Sequence, residues 1–246
     1  MADKKSILQF ILITTSILAV LAYLIFALLR FSGNDAETKC KDLIININGK
    51  VPLLKIDEVH DMLNQHALHP IGQSIEQLQL DDIELLLEAS PLVKEAICYH
   101  TPSGKAYLKI QLRTPKFLVS NNENYYVDEE KAIFPVPLHA AAYVPVVTGR
   151  VTKSMAKNEL FQFIDFLEKH EFWNAQIAQI HVHTDKTVEL VPRVGNTTIF
   201  LGGLDGYADK LNRVYLLYDQ GFKAAGWNRY KKLDLRFENQ IVAIKR

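Results

Sequence analysis

Residues 93–113 read VKEAICYHTPSGKAYLKIQLR and carry the clearest structural signal in the chain. After the turn at 101–104, Leu108, Ile110 and Leu112 alternate with polar residues, so every second side chain faces the same way. The pattern predicts a β-hairpin with one apolar face. Such a face has to be covered, and the neighbouring segments are expected to supply the cover.

The segment before the hairpin predicts one strand and two helices. Apolar residues recur at every second position in the strand and on one face of each helix. Asp81 and Asp82 precede the second helix as candidate N-caps, and Ser90-Pro91 ends it. Residues 40–113 are therefore expected to form a small β-α-α-β-β domain. The apolar positions are Leu43, Ile45 and Ile47 in the strand, Val59, Met62 and Leu63 in the first helix, and Ile83, Leu86 and Leu87 in the second.

The segment after the hairpin is mostly β. Short apolar runs bounded by turn residues predict strands, and apolar residues at helical spacing predict two helices, at 159–169 and 205–219. Residues 114–246 are therefore expected to form a mostly antiparallel β domain, which makes the fold class α+β. The predicted strands are 117–120, 124–127, 144–148, 177–183, 187–191, 197–201, 233–237 and 240–245.

The segment at 7–29 contains no charged residue. At helical rise it spans about 35 Å, which is enough to cross a hydrocarbon core of about 30 Å. A cleaved signal peptide is the alternative, but its apolar region is usually shorter and is followed by a small-x-small site, whereas Arg30-Phe31-Ser32-Gly33 follows here. We expect an uncleaved transmembrane helix at 7–29, a tail at 1–6 and a polar linker at 30–39.

The distribution of charge indicates how the chain is oriented in the membrane, and the overall charge argues against nucleic acid as a partner. Lys4 and Lys5 precede the apolar segment, whereas the far flank mixes basic and acidic residues. The positive-inside tendency therefore places the tail in the cytoplasm and residues 30–246 on the periplasmic or extracytoplasmic side of the cytoplasmic (inner) membrane. The 28 basic and 28 acidic residues of the chain cancel, so the overall charge does not favour nucleic-acid binding.

The two cysteines, Cys40 and Cys98, both lie in the part expected to be exported. A disulfide can persist there, and two buried unpaired thiols are the alternative. The sequence leaves both open. Neither cysteine has the close Cys or His spacing of a zinc site.

The sequence contains few features that indicate catalysis or metal binding. His181 and His183 would share one face of a strand, as a metal pair requires, but no third ligand is evident, so solvated or core-edge histidines are favoured. His60, His66 and His69 do not share one helical face and are expected at the surface. The chain has no G-x-S-x-G, phosphate-loop, H-E-x-x-H or S-x-x-K motif. We predict no cofactor and no metal.

The last predicted strand, 240–245, is the segment most suited to a binding role. A strand that ends a chain is often an edge strand, whose free N–H and C=O groups can pair with an incoming peptide. The alternative is ordinary pairing on both sides. Spacing alone does not separate the two.

Over nearly its whole length the chain resembles the FtsQ/DivIB family of bacterial cell-division proteins, with a short tail, an anchor helix, a POTRA-like domain and a β domain. The resemblance rests on the order and spacing of short fragments. They are Ser90-Pro91-Leu92-Val93, Arg113-Thr114-Pro115, Tyr126-Val127-Asp128 through Phe134-Pro135, Val144-Pro145-Val146-Val147-Thr148-Gly149, and Leu233-Asp234-Leu235-Arg236-Phe237 with Asn239-Gln240.

The chain departs from the family pattern in two places. After Pro115 the family tends to have a small residue and then a basic one, whereas this chain has Lys116-Phe117-Leu118, which weakens the case for a basic junction contact. The turn after Asp128 has Glu129-Glu130-Lys131 instead of the usual glycine, which is expected to change only the turn.

The resemblance implies a non-enzymatic divisome scaffold at the septum. Its POTRA-like domain would help recruitment, and its β domain would bind the bitopic partners FtsB and FtsL. In the family, the FtsB-type partner adds a strand to the C-terminal edge. Transferred residue by residue, contact falls on Phe237, Asn239 and Lys245, with Ile241 and Ala243 supplying main-chain groups. No small-molecule substrate is implied.

Two other functions stay open at this point. A membrane-anchored POTRA-type envelope export or assembly factor would be indicated by tandem POTRA units or a transmembrane barrel, whereas the sequence predicts one unit and no run of barrel strands. An anchored envelope hydrolase would require an acidic or His/Ser site in a cleft.

Overall fold

The computed structural model describes residues 4–32, 39–221 and 229–246. The first element is helix α1 (Lys4–Ser32). Within it, Leu12–Arg30 has a mean hydropathy of 2.5 and no part of this window is buried, so its length and composition fit a single membrane span. Residues 33–38, most of the expected linker, lie outside the described part of the chain.

Contacts divide the chain into two compact units, which are Met1–Asn48 with Lys55–Gln111, and Gly49–Leu54 with Leu112–Arg246. The first unit has a three-stranded sheet of order β1-β3-β2, in which β1 is parallel to β3. Buried residues of its helices and strands meet in one core, since Val59, Leu63, Ile83, Leu108 and Ile110 are at most 1% exposed. Its elements are β1 (Asp42–Asn48), α2 (Ile56–Gln65), a 3-10 turn (Ile75–Gln77), α3 (Leu80–Glu88), β2 (Val93–Thr101) and β3 (Lys105–Leu112).

Two sequence-based predictions for this unit are wrong. The N-cap of α3 is Gln79, so Asp81 and Asp82 lie in the first turn, where a negative charge favours the helix dipole. His66 is exposed, as expected, but His60 and His69 are half-buried, and His60 Nδ1 lies 3.0 Å from His69 Nε2. The surface prediction failed because His69 follows α2 in a loop that folds back onto the helix. Burial and the neighbouring His60 lower the pKa of His69.

Both cysteines are buried free thiols. Burial raises the pKa of Cys98 to about 11, helped by the nearby Glu84 and Cys40. The thiol form is therefore strongly favoured at neutral pH.

The second unit contains a nine-stranded sheet of order β12-β11-β10-β9-β8-β7-β4-β5-β6. Five neighbouring pairs are antiparallel and three are parallel, so the α+β, mostly antiparallel fold class is confirmed. The strands are β4 (Pro115–Ser120), β5 (Tyr125–Asp128), β6 (Ile133–Pro135), β7 (Val146–Gly149), β8 (Ile177–Val182), β9 (Val188–Pro192), β10 (Thr198–Gly202), β11 (Tyr230–Asp234) and β12 (Val242–Lys245). The helices are α4 (Lys153–Lys157), α5 (Glu159–Lys169), α6 (Glu171–Gln176) and α7 (Tyr207–Leu216), which continues as a π-turn (Leu217–Gly221).

Helices α5 and α7 pack their apolar faces against the sheet. Phe163 and Ile164 of α5, and Leu211 and Val214 of α7, are fully buried. Each such side chain contributes about 1.5–3 kcal/mol of hydrophobic free energy. Ile199 of β10 and Leu233 of β11 belong to the same core, so this packing includes the C-terminal part of the sheet.

Strand β11 lies earlier than the predicted 233–237. It ends at Asp234, whose side-chain oxygen accepts a hydrogen bond from the backbone N–H of Arg236 at 3.2 Å. Aspartate forms local turns of this kind that compete with strand pairing. The alternation of Leu233, Leu235 and Phe237 gave no sign of this turn.

Candidate partner-binding edge

Strand β12 lies at one end of the nine-stranded sheet and, among the described strands, pairs with β11 alone. All four of its residues are exposed, including the apolar Val242 at 40% and Ile244 at 38%. Apolar side chains on an uncovered edge strand are uncommon, because such a strand can template pairing with another chain.

One hydrogen bond shows which backbone groups of β12 point outward. The N–H of Arg246 donates to the carbonyl of Arg229 at 3.3 Å, so Arg246 directs its amide towards β11. Successive residues of a strand point their backbone groups to opposite sides. Ile244 and Val242 therefore pair with β11, and the N–H and C=O groups of Ile241, Ala243 and Lys245 point away from it. We call these outward groups the open edge.

The five residues transferred from the family occupy two kinds of position. Ile241, Ala243 and Lys245 form the open edge, and the Ile241 side chain also packs partly against the core. Phe237 and Asn239 lie in the turn between β11 and β12, where Phe237 is 44% exposed. Asn239 has φ 57°, a left-handed conformation that asparagine tolerates better than most residues.

An ion pair between the buried Asp234 and the exposed Arg236 lies at the end of β11, next to this turn. Asp234 is only 6% exposed, and Arg236 donates to it from Nη2 at 2.7 Å and from Nε at 3.0 Å. These hydrogen bonds lower the pKa of Asp234 against the opposing effect of burial. The Arg236 stem lies against Gly202 of β10, where an added Cβ would come within 2.7 Å of Arg236 Cγ. In the sequence, Asp234 and Arg236 contribute to the family resemblance but are not predicted to pair.

The charged side chains beside β12 are partnered within the unit. Lys232 lies 3.9 Å and Arg236 5.0 Å from the centre of the Phe200 ring, in cation–π contacts. Lys232 Nζ also lies 3.6 Å from the Glu189 carboxylate. Burial alone would raise the pKa of Glu189, but a hydrogen bond from Thr198 and the charge of Lys232 outweigh it and lower the pKa.

The two strand histidines lie side by side, with their ring centres 4.7 Å apart. His181 Nδ1 lies 2.9 Å from the Thr148 hydroxyl, and His183 Nε2 lies 3.2 Å from the Glu189 carboxylate. Within the described ranges no group of three or more His, Cys, Asp or Glu side chains is arranged to hold a metal ion. These contacts give both histidines structural partners.

Lys116, which stands where the family has a small residue after Pro115, forms ion pairs within the second unit. Lys116 is only 8% exposed, and its amine contacts Asp165 at 3.1 Å and also Glu168, both on α5. Burial alone would lower the pKa of Lys116, but the hydrogen bonds that it donates to Glu168 and Asp165 outweigh burial and raise the pKa. The positive charge of Lys116 is therefore neutralised by α5 and gives no basic contact for a partner.

The turn after Asp128 adapts to the missing glycine. Lys131 takes φ 66°, the conformation that glycine adopts most easily. The Asp128 side chain accepts the backbone N–H groups of Glu130 at 2.8 Å and Ala132 at 2.7 Å, which holds the turn. As expected, this departure changes the turn and leaves β5 and β6 paired.

Two protein-family models match the chain. The model described as FtsQ/DivIB, C-terminal related, matches residues 114–244, and the model of a POTRA-like domain matches residues 38–111. No curated protein matches the chain. Because the first model alone covers more than half of the sequence, the chain belongs to the FtsQ/DivIB family.

Proposed function

We propose that this protein is a non-enzymatic, membrane-anchored divisome scaffold that binds other bitopic division proteins at the open edge of its β domain. It would cross the inner membrane once at 7–29 with its N-terminus in the cytoplasm. It would present a POTRA-like domain at 40–113 and a β domain at 114–246 on the other side. The observation that carries the proposal is an exposed, one-sided strand on a domain of the FtsQ/DivIB type.

Strand addition is the binding mode that this edge supports. The outward N–H and C=O groups of Ile241, Ala243 and Lys245 can each bond to an extended peptide, and one such hydrogen bond contributes about 0.5–1.5 kcal/mol net. Val242 and Ile244 add apolar surface that a neighbouring strand would cover. Main-chain bonds would give affinity, and these side chains would select the partner.

FtsB-type and FtsL-type bitopic proteins are the proposed partners. Two proteins anchored in the same membrane meet at a raised effective concentration, so a short strand contact can suffice for association. Helix α1 would supply this confinement and would bring the body to the septum together with its partners. Recruitment through the POTRA-like domain is part of the same proposal.

The test compares the full-length protein with a variant that lacks residues 238–246, each fused to a fluorescent protein and produced in dividing cells. We expect the intact protein at the septum and in complex with the FtsB-type partner after detergent extraction. The truncated protein should remain in the membrane and lose that complex. Retained partner binding by the truncated protein would overturn the edge assignment, and uniform envelope fluorescence of the intact protein would overturn the divisome role.

A further inference from the structure

The turn between β11 and β12 is held from outside the hairpin by a helix. Arg213 lies in the last turn of α7, and its Nη1 donates to the carbonyl of Phe237 at 2.9 Å and to the carbonyl of Gln240 at 3.2 Å. These carbonyls stand on either side of Glu238 and Asn239. One guanidinium group therefore bridges the two ends of the turn.

The position of Arg213 is fixed by the core. Leu211 and Val214, its neighbours on α7, are fully buried against the sheet. A charged donor on a helix fixed in this way can hold flexible backbone, because bonds from a charged group are stronger than neutral ones. The turn is thus attached to a helix whose apolar face is buried in the core of the unit.

The open edge needs such a support. Strand β12 has four residues, all exposed, and the turn that leads into it contains Asn239 in a left-handed conformation. Other contacts that hold β12 include its pairing with β11, the partly buried Ile241, and hydrogen bonds from Arg246 to the Arg229 and Asn196 carbonyls. An edge that is already ordered binds more tightly, since ordering backbone at the moment of binding costs conformational entropy.

We propose that Arg213 is a positioning residue for partner binding, which keeps the open edge ordered before a partner strand arrives. The inference rests on the proposed function, because it assigns a role in strand addition at the same edge. Arg213 need not touch the partner. Its effect would pass through the Phe237–Gln240 turn to the backbone groups of Ala243 and Lys245.

The experiment uses the full-length protein in detergent and the extracytoplasmic segment of an FtsB-type partner as the probe. Calorimetry gives the affinity, and hydrogen exchange reports backbone order in the free protein. The variants are Arg213→Met, which keeps the stem without the donors, and Arg213→Lys, which keeps one charged donor. Arg193→Met is the matched control, because Arg193 donates to the Tyr143 hydroxyl and not to the turn.

We expect Arg213→Met to weaken binding about tenfold, as the loss of two charge-assisted hydrogen bonds implies. Amide exchange should become faster at 237–245 in the free protein and stay unchanged in the α5 core. Arg213→Lys should restore part of the affinity, and Arg193→Met should bind like the unmodified protein. Unchanged binding or unchanged exchange at 237–245 in Arg213→Met would overturn the inference, and so would loss of order throughout the unit.

Ala243→Pro separates this inference from the proposed function. Proline removes an outward N–H from the open edge and leaves Arg213 in place. If Ala243→Pro abolishes binding and Arg213→Met does not change it, the edge is the binding site and only the role of Arg213 is wrong. If Ala243→Pro binds normally, strand addition itself is wrong and the role of Arg213 falls with it.

Discussion

The nine-stranded sheet ends on one side at β6, with three residues, and on the other at β12, with four. Just before β6, the carbonyl of Ala132 accepts a hydrogen bond from the Asp128 N–H at 3.0 Å, so the backbone groups of Ala132 point towards β5. Because successive residues of a strand alternate, the backbone groups of Ile133 and Pro135 point away from β5. Pro135 has no N–H to offer there. Strand β12 instead turns the N–H and C=O groups of both Ala243 and Lys245 outward, and Ile241 just before it adds a third pair.

A short strand and an outward proline are among the ways in which proteins protect a sheet edge from unwanted pairing. Both end strands are short, but only β6 has an outward proline, whereas in β12 exposed apolar side chains stand beside outward backbone groups. The openness of β12 is therefore a local property of residues 241–245 and does not follow from the sheet architecture. We refer to the β6 side as the closed edge.

The largest expected effect comes from closing the open edge with proline. Ala243→Pro removes an outward N–H without removing a hydrogen bond to β11, and its ring occupies the space of an incoming strand. Loss of one or two main-chain bonds with added steric conflict should weaken binding of the FtsB-type segment at least about 30-fold. Calorimetric titration measures this loss.

Ala243→Thr is the matched control, because it keeps the N–H and has a high β-propensity. It should bind like the unmodified protein. Circular dichroism should show the same fold for both variants. Equal binding by Ala243→Pro and Ala243→Thr would contradict the difference between the two edges.

The next largest effect is expected from replacing the aspartates of the Asp–Arg pairs near the two edges. At the open edge Asp234 is paired with Arg236, and at the closed edge Asp128 accepts from Arg113 at 2.8 Å. Replacing either buried aspartate by asparagine should lower the unfolding free energy by about 1–3 kcal/mol, as for a hydrogen bond to a charged group. Only Asp234→Asn should also weaken partner binding, about tenfold, because Asp234 fixes the strand that carries β12.

The pH dependence of stability provides an independent test of the contribution of Asp234. Its pKa is lowered from the ordinary 3.8 in the folded protein, so its contribution to stability is present above pH 3.8 and is lost as the pH falls through the lowered value. Urea unfolding followed between pH 3 and 6 should therefore show a smaller decline for Asp234→Asn than for the unmodified protein. Parallel declines would mean that the Asp234–Arg236 pair does not stabilise the fold.

A smaller effect is expected from the exposed side chains near each edge. Ile244→Ala removes apolar surface that a partner strand would cover, which should weaken binding about fivefold. Leu138, fully exposed in the loop after β6, provides the matched substitution near the closed edge. Leu138→Ala should leave the affinity unchanged. An equal loss in both variants would mean that the partner contacts both ends of the sheet.

The smallest effect is expected from opening the closed edge. Pro135→Val restores an outward N–H in β6 and raises its β-propensity. We expect weak, concentration-dependent self-association, detectable by sedimentation at high protein concentration. A monomer at every concentration would show that features other than the missing N–H keep β6 closed.

Local sequence patterns predicted most of the fold, because burial of one face imposes a period on each strand and helix. The hairpin of β2 and β3, the helix α5 and the last strand all follow from such periods. Three elements of the second unit were too short to show one and were missed: α4, α6 and β6. The fold class and most element positions could therefore be predicted, with strand ends displaced by at most three residues.

The candidate site could be predicted only in part. The position of β12 at the end of the chain pointed to an edge, but the pairing that leaves one side open is a property of the assembled sheet. Contacts between distant residues have no local pattern. Lys116 meets Asp165 across 49 positions, and Arg213 reaches Phe237 across 24. Asp234 and Arg236 are two positions apart, so their pairing could have been predicted from the tendency of aspartate to accept a hydrogen bond from the backbone N–H two residues later.

The place of β12 in chain order affects biogenesis. During synthesis the N-terminal parts of a chain emerge and fold first. Helix α1, the POTRA-like domain and the core residues Leu233 and Leu235 precede Val242 in the chain. A nascent chain that stops short of Val242 would carry these parts but would lack the Ala243 and Lys245 groups of the open edge. In the proposed function, competence to bind a partner strand would thus be acquired only after β12 has been synthesised.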